Sequence, residues 1–314
     1  MLKTGKVILF EPWNMGDAVM AFAIALQDPA RFSVACNSKW HKLLRSAAHG
    51  MAAPELFSVD LGYISRNKAG FLQFGNLSRV PGNCEVLSIR GDARDYFAAR
   101  HMFPQSRIRV NGWLSFLAKR VALFDIPFAK GWLPVRNRYN AWASIADVKW
   151  STIERFYQQK RPTENGRSVI IHIGAQWRSR QYPYVAELAA LMKKDSHVRI
   201  VAGLRDMLPD GVEEKCVCRL EDGGLVDAFS SSTHAIVNDS GPMHLAALLH
   251  CRTLVISRQS AIREWLPPTV LAIESNQAPS GYRPDLAAYR SDVISNGWPS
   301  PIEVLNHQNY SLIL

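Results

Sequence analysis

Short, continuous apolar runs alternate with helical stretches along most of the chain. In the first half the pattern predicts strands at Lys6–Phe10, Arg31–Ala35, Leu56–Val59 and Glu85–Ile89, with helices at Asp17–Leu26 and Trp40–Ala48. In the second half it predicts strands at Ser168–Ile173, Val198–Ala202, Ala235–Asn238 and Thr253–Ile256. Helices are predicted there at Tyr184–Lys193, Leu225–Ser230 and Met243–Leu249. Short strands separated by helices imply parallel sheets in an α/β fold.

Three stretches lack that regularity. Residues 62–82 mix Gly, Arg, Lys, Asn and Phe without a period and read as an exposed segment with aromatic residues among cations. From Trp113 to Phe124, apolar residues fall on one helical face, with Lys119 off it and Arg120 within it. This pattern fits a helix packed on its own domain with Arg120 reaching past the rim, and it also fits a helix lying on a membrane surface. Pro127 to Pro162 carries scattered Gly, Pro, Arg and Trp and reads as the end of the first domain leading into the second, with the boundary near residue 162. A chain of 314 residues is long enough for two domains that each bury a core. No internal repeat or low-complexity tract interrupts the second half.

Composition narrows the classes further. With 47% hydrophobic and 20% charged residues, the chain is that of a globular protein, and apolar runs such as Val7–Phe10 and Val169–Ile171 are too short to span a bilayer. Glu11, Asn14 and Asp17 interrupt the first apolar stretch before any signal-peptide cleavage site, so a cytoplasmic protein is expected. Cys36, Cys84, Cys216, Cys218 and Cys251 are scattered, odd in number and show no zinc-ligand spacing, so they read as reduced thiols and no metal is expected. The formal net charge of +10 comes entirely from residues 1–150, which hold 20 Lys and Arg against 10 Asp and Glu. An excess of this kind suits an anionic partner, and equally a solvated basic surface.

Residues 237–248, VNDSGPMHLAAL, join a strand end to a helix through an Asp-Ser-Gly-Pro turn. The first turn of a helix offers unpaired N–H groups and the positive end of the macrodipole, which suits phosphate. Gly241 permits close backbone approach, Pro242 suits a first helical turn, and Asp239 and His244 flank the position. The same residue types also fit an ordinary junction in which Asp239 or Ser240 caps the helix.

The stretch Asn238–Ala247, N-D-S-G-P-M-H-L-A-A, resembles the donor-site motif of glycosyltransferase family 9, the ADP-heptose:lipopolysaccharide heptosyltransferases. Ile8–Met20, ILFEPWNMGDAVM, is similar to the family's N-terminal strand, loop and helix, and Val169–Pro183, VIIHIGAQWRSRQYP, to the segment that opens its second domain. The three matches occur in family order across most of the chain. Two departures stand out: Arg180 occupies the family's Lys position, and Ser257–Pro268 replaces an expected Gly-rich loop.

The resemblance implies a GT-B fold of two Rossmann-like domains facing a central cleft. Residues 1–162 would form the acceptor-binding domain with the catalytic base, residues 163–300 the nucleotide-sugar domain, and residues 301–314 a terminal helix crossing back to the first. It implies an inverting transfer of a heptose-like sugar from a nucleotide-diphosphate donor, ADP-heptose or similar, to an anionic cell-envelope glycolipid or glycan. No cofactor and no nucleic acid are implied, and the location is the cytoplasm, with peripheral contact at the inner membrane surface. Asp17 would be the base and Arg180 the catalytic cation. Gly174, Trp177, Arg178, Asp206, Asp239, Ser240, Gly241, Pro242, Met243 and His244 would bind donor, and Asn14 and Gly16 acceptor. Nucleoside recognition would fall near Cys218–Gly224.

Other classes fit less of the sequence. The first strand–helix turn, Glu11–Asp17, contains a single glycine and lacks the G-x-G-x-x-G fingerprint of a nicotinamide-dependent dehydrogenase. Ser240 and His244 lie one turn apart with no G-x-S-x-G elbow, which argues against a serine hydrolase. The basic excess has no nucleic-acid recognition motif beside it. A non-catalytic nucleotide-sugar-binding subunit, or a transferase using another donor, remains compatible with the pattern.

Overall fold

The computed structural model describes residues 5–61, 77–89, 93–110, 137–159, 168–175, 178–193, 196–258, 260–274 and 297–310. The chain divides into two compact units, Met1–Ile153 and Glu154–Leu314.

Among the described residues the first unit carries a parallel sheet in the order β3-β2-β1-β4-β5. Its strands are β1 (Val7–Glu11), β2 (Phe32–Cys36), β3 (Glu55–Ser58), β4 (Glu85–Ser88) and β5 (Arg107–Val110). The runs VILFE and FSVAC are buried at every position, as expected of central parallel strands covered on both faces. Helix α1 (Met15–Ala25) is buried from Gly16 to Ala25, so it lies inside the unit rather than presenting an amphipathic face to water. It is followed by α2 (His41–Ala47), α3 (Ala93–Met102), α4 (Arg138–Ile145) and α5 (Trp150–Gln158). Phe10, Val86, Ala98, Met102 and Phe103 form a core on one side of the sheet.

The second unit holds a parallel sheet in the order β11-β10-β9-β6-β7-β8. Its strands are β6 (Ser168–His172), β7 (His197–Gly203), β8 (Val217–Leu220), β9 (His234–Asn238), β10 (Arg252–Ser257) and β11 (Leu271–Glu274). Between and after them come α6 (Val185–Met192), α7 (Asp222–Ser230), α8 (Gly241–Leu248) and α9 (Pro301–Tyr310). Counted within the unit, this is the doubly wound nucleotide-binding order 3-2-1-4-5-6. Of the stretch 301–314, expected as a terminal helix crossing back to the first domain, Pro301–Tyr310 is helical and forms α9. It packs on α6, with Val304 fully buried and the Tyr182 hydroxyl donating to Pro299 O at 2.9 Å.

Several expectations are refined. The units part inside α5 rather than at residue 162, because the end of that helix packs within the second unit. Phe156 lies against His250 with ring centroids 5.0 Å apart, and Tyr157 O accepts from Thr269 Oγ1 at 3.0 Å. Residues 137–159, read as finishing the first domain and leading to the second, form α4 and α5, with Tyr139 and Trp142 fully buried. Residues 77–82 of the segment read as exposed include Leu77 and Val80, which pack in the first core. The rest of that segment, the helical pattern at 113–124 and Trp177 lie outside the described residues. All five cysteines are free, Cys36, Cys84 and Cys251 buried and Cys216 and Cys218 exposed.

Candidate functional site

In a doubly wound sheet, ligands bind beyond the strand C-termini where the strand order reverses. In the second unit that point lies between β6 and β9, the two strands that carry Gly174 and Asp239–Gly241 on their following loops. Asn238, the last residue of β9, joins these loops. Its Nδ2 donates to Ile173 O at 3.0 Å and Gly174 O at 3.5 Å, while its Oδ1 accepts from Tyr182 N at 3.0 Å. Ser240 Oγ adds bonds to Gly174 O at 3.4 Å and Asn238 O at 3.3 Å.

Ser240 stands at the N-cap of α8 with extended backbone and gives that helix no side-chain cap; Pro242 sits in the first turn. The alternative of a side-chain-capped junction is therefore not realised at Ser240, whose hydroxyl is directed to carbonyls. Pro242, Met243 and His244 are buried, so Met243 contributes packing and His244 is an enclosed ring at the base of the helix start.

The 3-10 turn Arg178–Arg180 brings two cations to the same loop. Arg180 Nη1 lies 3.4 Å from Asp239 Oδ2 and donates to Asp239 O at 3.4 Å. Asp239 is buried; that burial raises its carboxyl pKa, and the Arg180 charge acts against the rise. Arg178 makes no such pair among the described residues, and its Nε is enclosed without a hydrogen-bond partner.

Asp206 is tied into the turn that follows β7. Its Oδ2 accepts from Gly203 N at 2.7 Å, and its carboxylate packs onto Gly174 so closely that a Cβ there would overlap it. Gln181 Nε2 donates to Met207 O at 2.9 Å, tying the 178–182 loop to the same turn. His172 lies beneath. Burial lowers its pKa to about 4 against the opposing pull of Asp206, and its Nδ1 has no hydrogen-bond partner. Asn238, His172 and Gln181 were not singled out from sequence; an Asn at the end of an apolar strand was the available signal for the first. The region near Cys218–Gly224 is the end of β8 and the start of α7 rather than a free loop.

In the first unit the order reverses between β1 and β4. The β1–α1 loop is held by Trp13, whose Nε1 donates to Asp95 Oδ1 at 2.7 Å and whose carbonyl accepts from Trp40 Nε1 at 3.4 Å. Asn14 is exposed at the N-cap of α1, Gly16 is buried, and Asp17 lies in the first turn with 7% of its surface exposed. A carboxylate there sits at the positive end of the helix.

The strand orders and the two switch-point loops define a two-unit doubly wound α/β protein. No family model and no curated protein matches the sequence. Solved structures match the fold over nearly the whole chain. Escherichia coli heptosyltransferase WaaC, solved with ADP, aligns with a TM-score of 0.61 at 11% identity, covering 98% of this chain and 99% of that one. A family 9 glycosyl transferase from Veillonella parvula aligns with a TM-score of 0.59 at 12% identity, covering 100% and 98%. E. coli ADP-heptose lipopolysaccharide heptosyltransferase II gives 0.53 at 16%, covering 98% of each. The chain thus shares the fold of these heptosyltransferase and family 9 glycosyltransferase structures. No helix among the described residues is long and apolar enough to cross a membrane.

Proposed function

We propose that the chain is an inverting GT-B glycosyltransferase that moves a sugar from a nucleotide-diphosphate donor to a hydroxyl of an anionic cell-envelope glycolipid or related glycan. The observation that carries this reading is the second unit's switch point, where a helix start without a side-chain cap adjoins two arginines and a buried carboxylate. That combination suits a diphosphate with a sugar attached.

In this reading the first-turn amides of α8 and the Arg178 guanidinium receive the diphosphate. Arg180 is already engaged with Asp239 and steadies it as an acceptor for sugar hydroxyls, with Gly174, Ser240 and His244 around the donor. Asp206 takes a ribose hydroxyl. Asp17 accepts the proton of the attacking acceptor hydroxyl, whose oxygen forms the new bond to the anomeric carbon as the bond to the diphosphate oxygen breaks. Asn14 and Gly16 border the acceptor. The cationic surplus of residues 1–150 supports an anionic acceptor and peripheral contact with an inner membrane surface from the cytoplasm.

WaaC is solved with ADP and with ADP-2-deoxy-2-fluoro heptose, which makes ADP-heptose the first donor to try. Calorimetric titration with ADP, UDP, GDP, CMP and NAD tests the reading. Selective ADP binding followed by sugar transfer supports it in full, UDP or GDP binding replaces the donor, and donor binding without transfer to any acceptor makes the chain a binding subunit. Binding of none of the five removes the reading.

A further inference from the structure

Arg219 lies on β8, next to β7 in the sheet, with Ala202 as its register partner. Its side chain reaches along the sheet to the turn that follows β7. Nη1 donates to Gly203 O at 2.9 Å and also to Asp206 O. The other side of the guanidinium is gripped by Glu214, five residues earlier, with Nε to Oε1 at 2.8 Å and Nη2 to Oε2 at 3.0 Å. Nε and both Nη atoms are therefore committed to protein, which makes Arg219 a poor phosphate ligand despite its position near the site.

The turn that it grips is closed twice more, by Asp206 N to Gly203 O at 3.2 Å and by Gly203 N to Asp206 Oδ2 at 2.7 Å. Three strand ends thus meet at one turn: β6 through Gly174 and β7 through Gly203 touch the Asp206 carboxylate, and β8 holds the turn's carbonyls through Arg219. A planar fork that pairs with a carboxylate on one side and two carbonyls on the other is a role lysine cannot copy.

We infer that Arg219, braced by Glu214, is a positioning residue of the donor site: a clasp that fixes the 203–206 turn and with it the carboxylate of Asp206 against Gly174. The inference rests on the reading of Asp206 as a donor ligand. It separates the donor-side residues into those that meet the nucleotide and one that acts only through another.

A double-mutant cycle tests it. Arg219→Met is expected to raise the donor KM about tenfold with kcat little changed, Asp206→Ala to do at least as much, and the double variant to be no worse than Asp206→Ala alone. Arg219→Lys restores only part of the loss. Additive effects, or an unchanged KM in Arg219→Met while Asp206→Ala weakens binding, overturn the clasp, as does an Asp206→Ala variant with wild-type affinity. Hydrogen exchange at the Gly203 and Asp206 amides gives a readout independent of any nucleotide. Faster exchange in folded Arg219→Met supports the clasp, and unchanged exchange overturns it. A wild-type protein that binds no nucleotide fails the functional reading instead, and exchange still decides the clasp.

Discussion

The carboxylate of Asp206 occupies the space that a side chain on Gly174 would need, with His172 Cε1 only 2.8 Å from the same point. Gly174 is therefore required for close approach rather than for an unusual backbone angle. Alanine at 174 forces the short Asp206 side chain aside and breaks its bond to Gly203 N. Gly174→Ala is expected to fold and to lose about 10- to 100-fold in nucleotide affinity, matching Asp206→Ala, since a charge-assisted bond is lost in both. Calorimetry on the two variants checks this, and wild-type affinity in folded Gly174→Ala would refute it.

Asp17 combines low exposure with a place in the first turn of a buried helix. Replacement by Asn keeps the shape and a polar group but removes the proton acceptor. Asp17→Asn is expected to keep its fold and donor affinity while kcat falls by about 10²- to 10⁴-fold. Single-turnover transfer measures the loss. Near-normal turnover would leave Asp17 with a structural part only, as a carboxylate favoured by the helix end.

What the sequence reveals and what it hides divides along physical lines. β1, β6 and β9 were legible because a central parallel strand is an unbroken apolar run, and the turn at Asp239–Gly241 because Gly and Pro mark it. Helix α3, ARDYFAARHM, and strand β5, RIRV, were missed because charged residues break any apolar period. β8 was hidden for a related reason: in VCRL, Arg219 is turned toward the neighbouring turn rather than alternating with apolar partners. Within the site, the gaps are contacts over long separations. Asn238 bonds residues 56 to 65 positions away, and nothing local in N-D-S-G-P signals that.

Arg178 and Arg180 are expected to separate on pH dependence. Burial raises the Asp239 pKa and Arg180 counters it, so removing that charge lets the pKa climb further. If the ionised carboxylate is the working form, the acid limb of kcat/KM moves to higher pH in Arg180→Met and stays in place in Arg180→Lys. Arg178→Met lowers donor affinity about tenfold or more by taking a cation from the diphosphate, with the acid limb unmoved. Profiles of the three variants against the wild type decide the division. An equal shift in Arg178→Met and Arg180→Met removes it.

His172 gives the second unit a stability that depends on pH. Burial holds its folded pKa at about 4, below the ordinary 6.5, while the Asp206 charge and nearby backbone carbonyls resist the drop. As pH falls through 6.5 the unfolded chain takes a proton that the folded ring refuses, so the unfolded state binds more protons throughout the window down to about 4. Stability is therefore full above pH 6.5 and declines toward pH 4, by roughly 3 kcal/mol at most for a shift of this size. His172→Gln removes the titrating ring from beneath Asp206. Denaturation midpoints measured from pH 7 to 4.5 are expected to fall less steeply in the variant than in the wild type, the difference isolating His172 from the other histidines. Parallel slopes would mean that the ring protonates in the folded state as readily as in the unfolded one, and that the site beneath Asp206 is wetter than its burial implies.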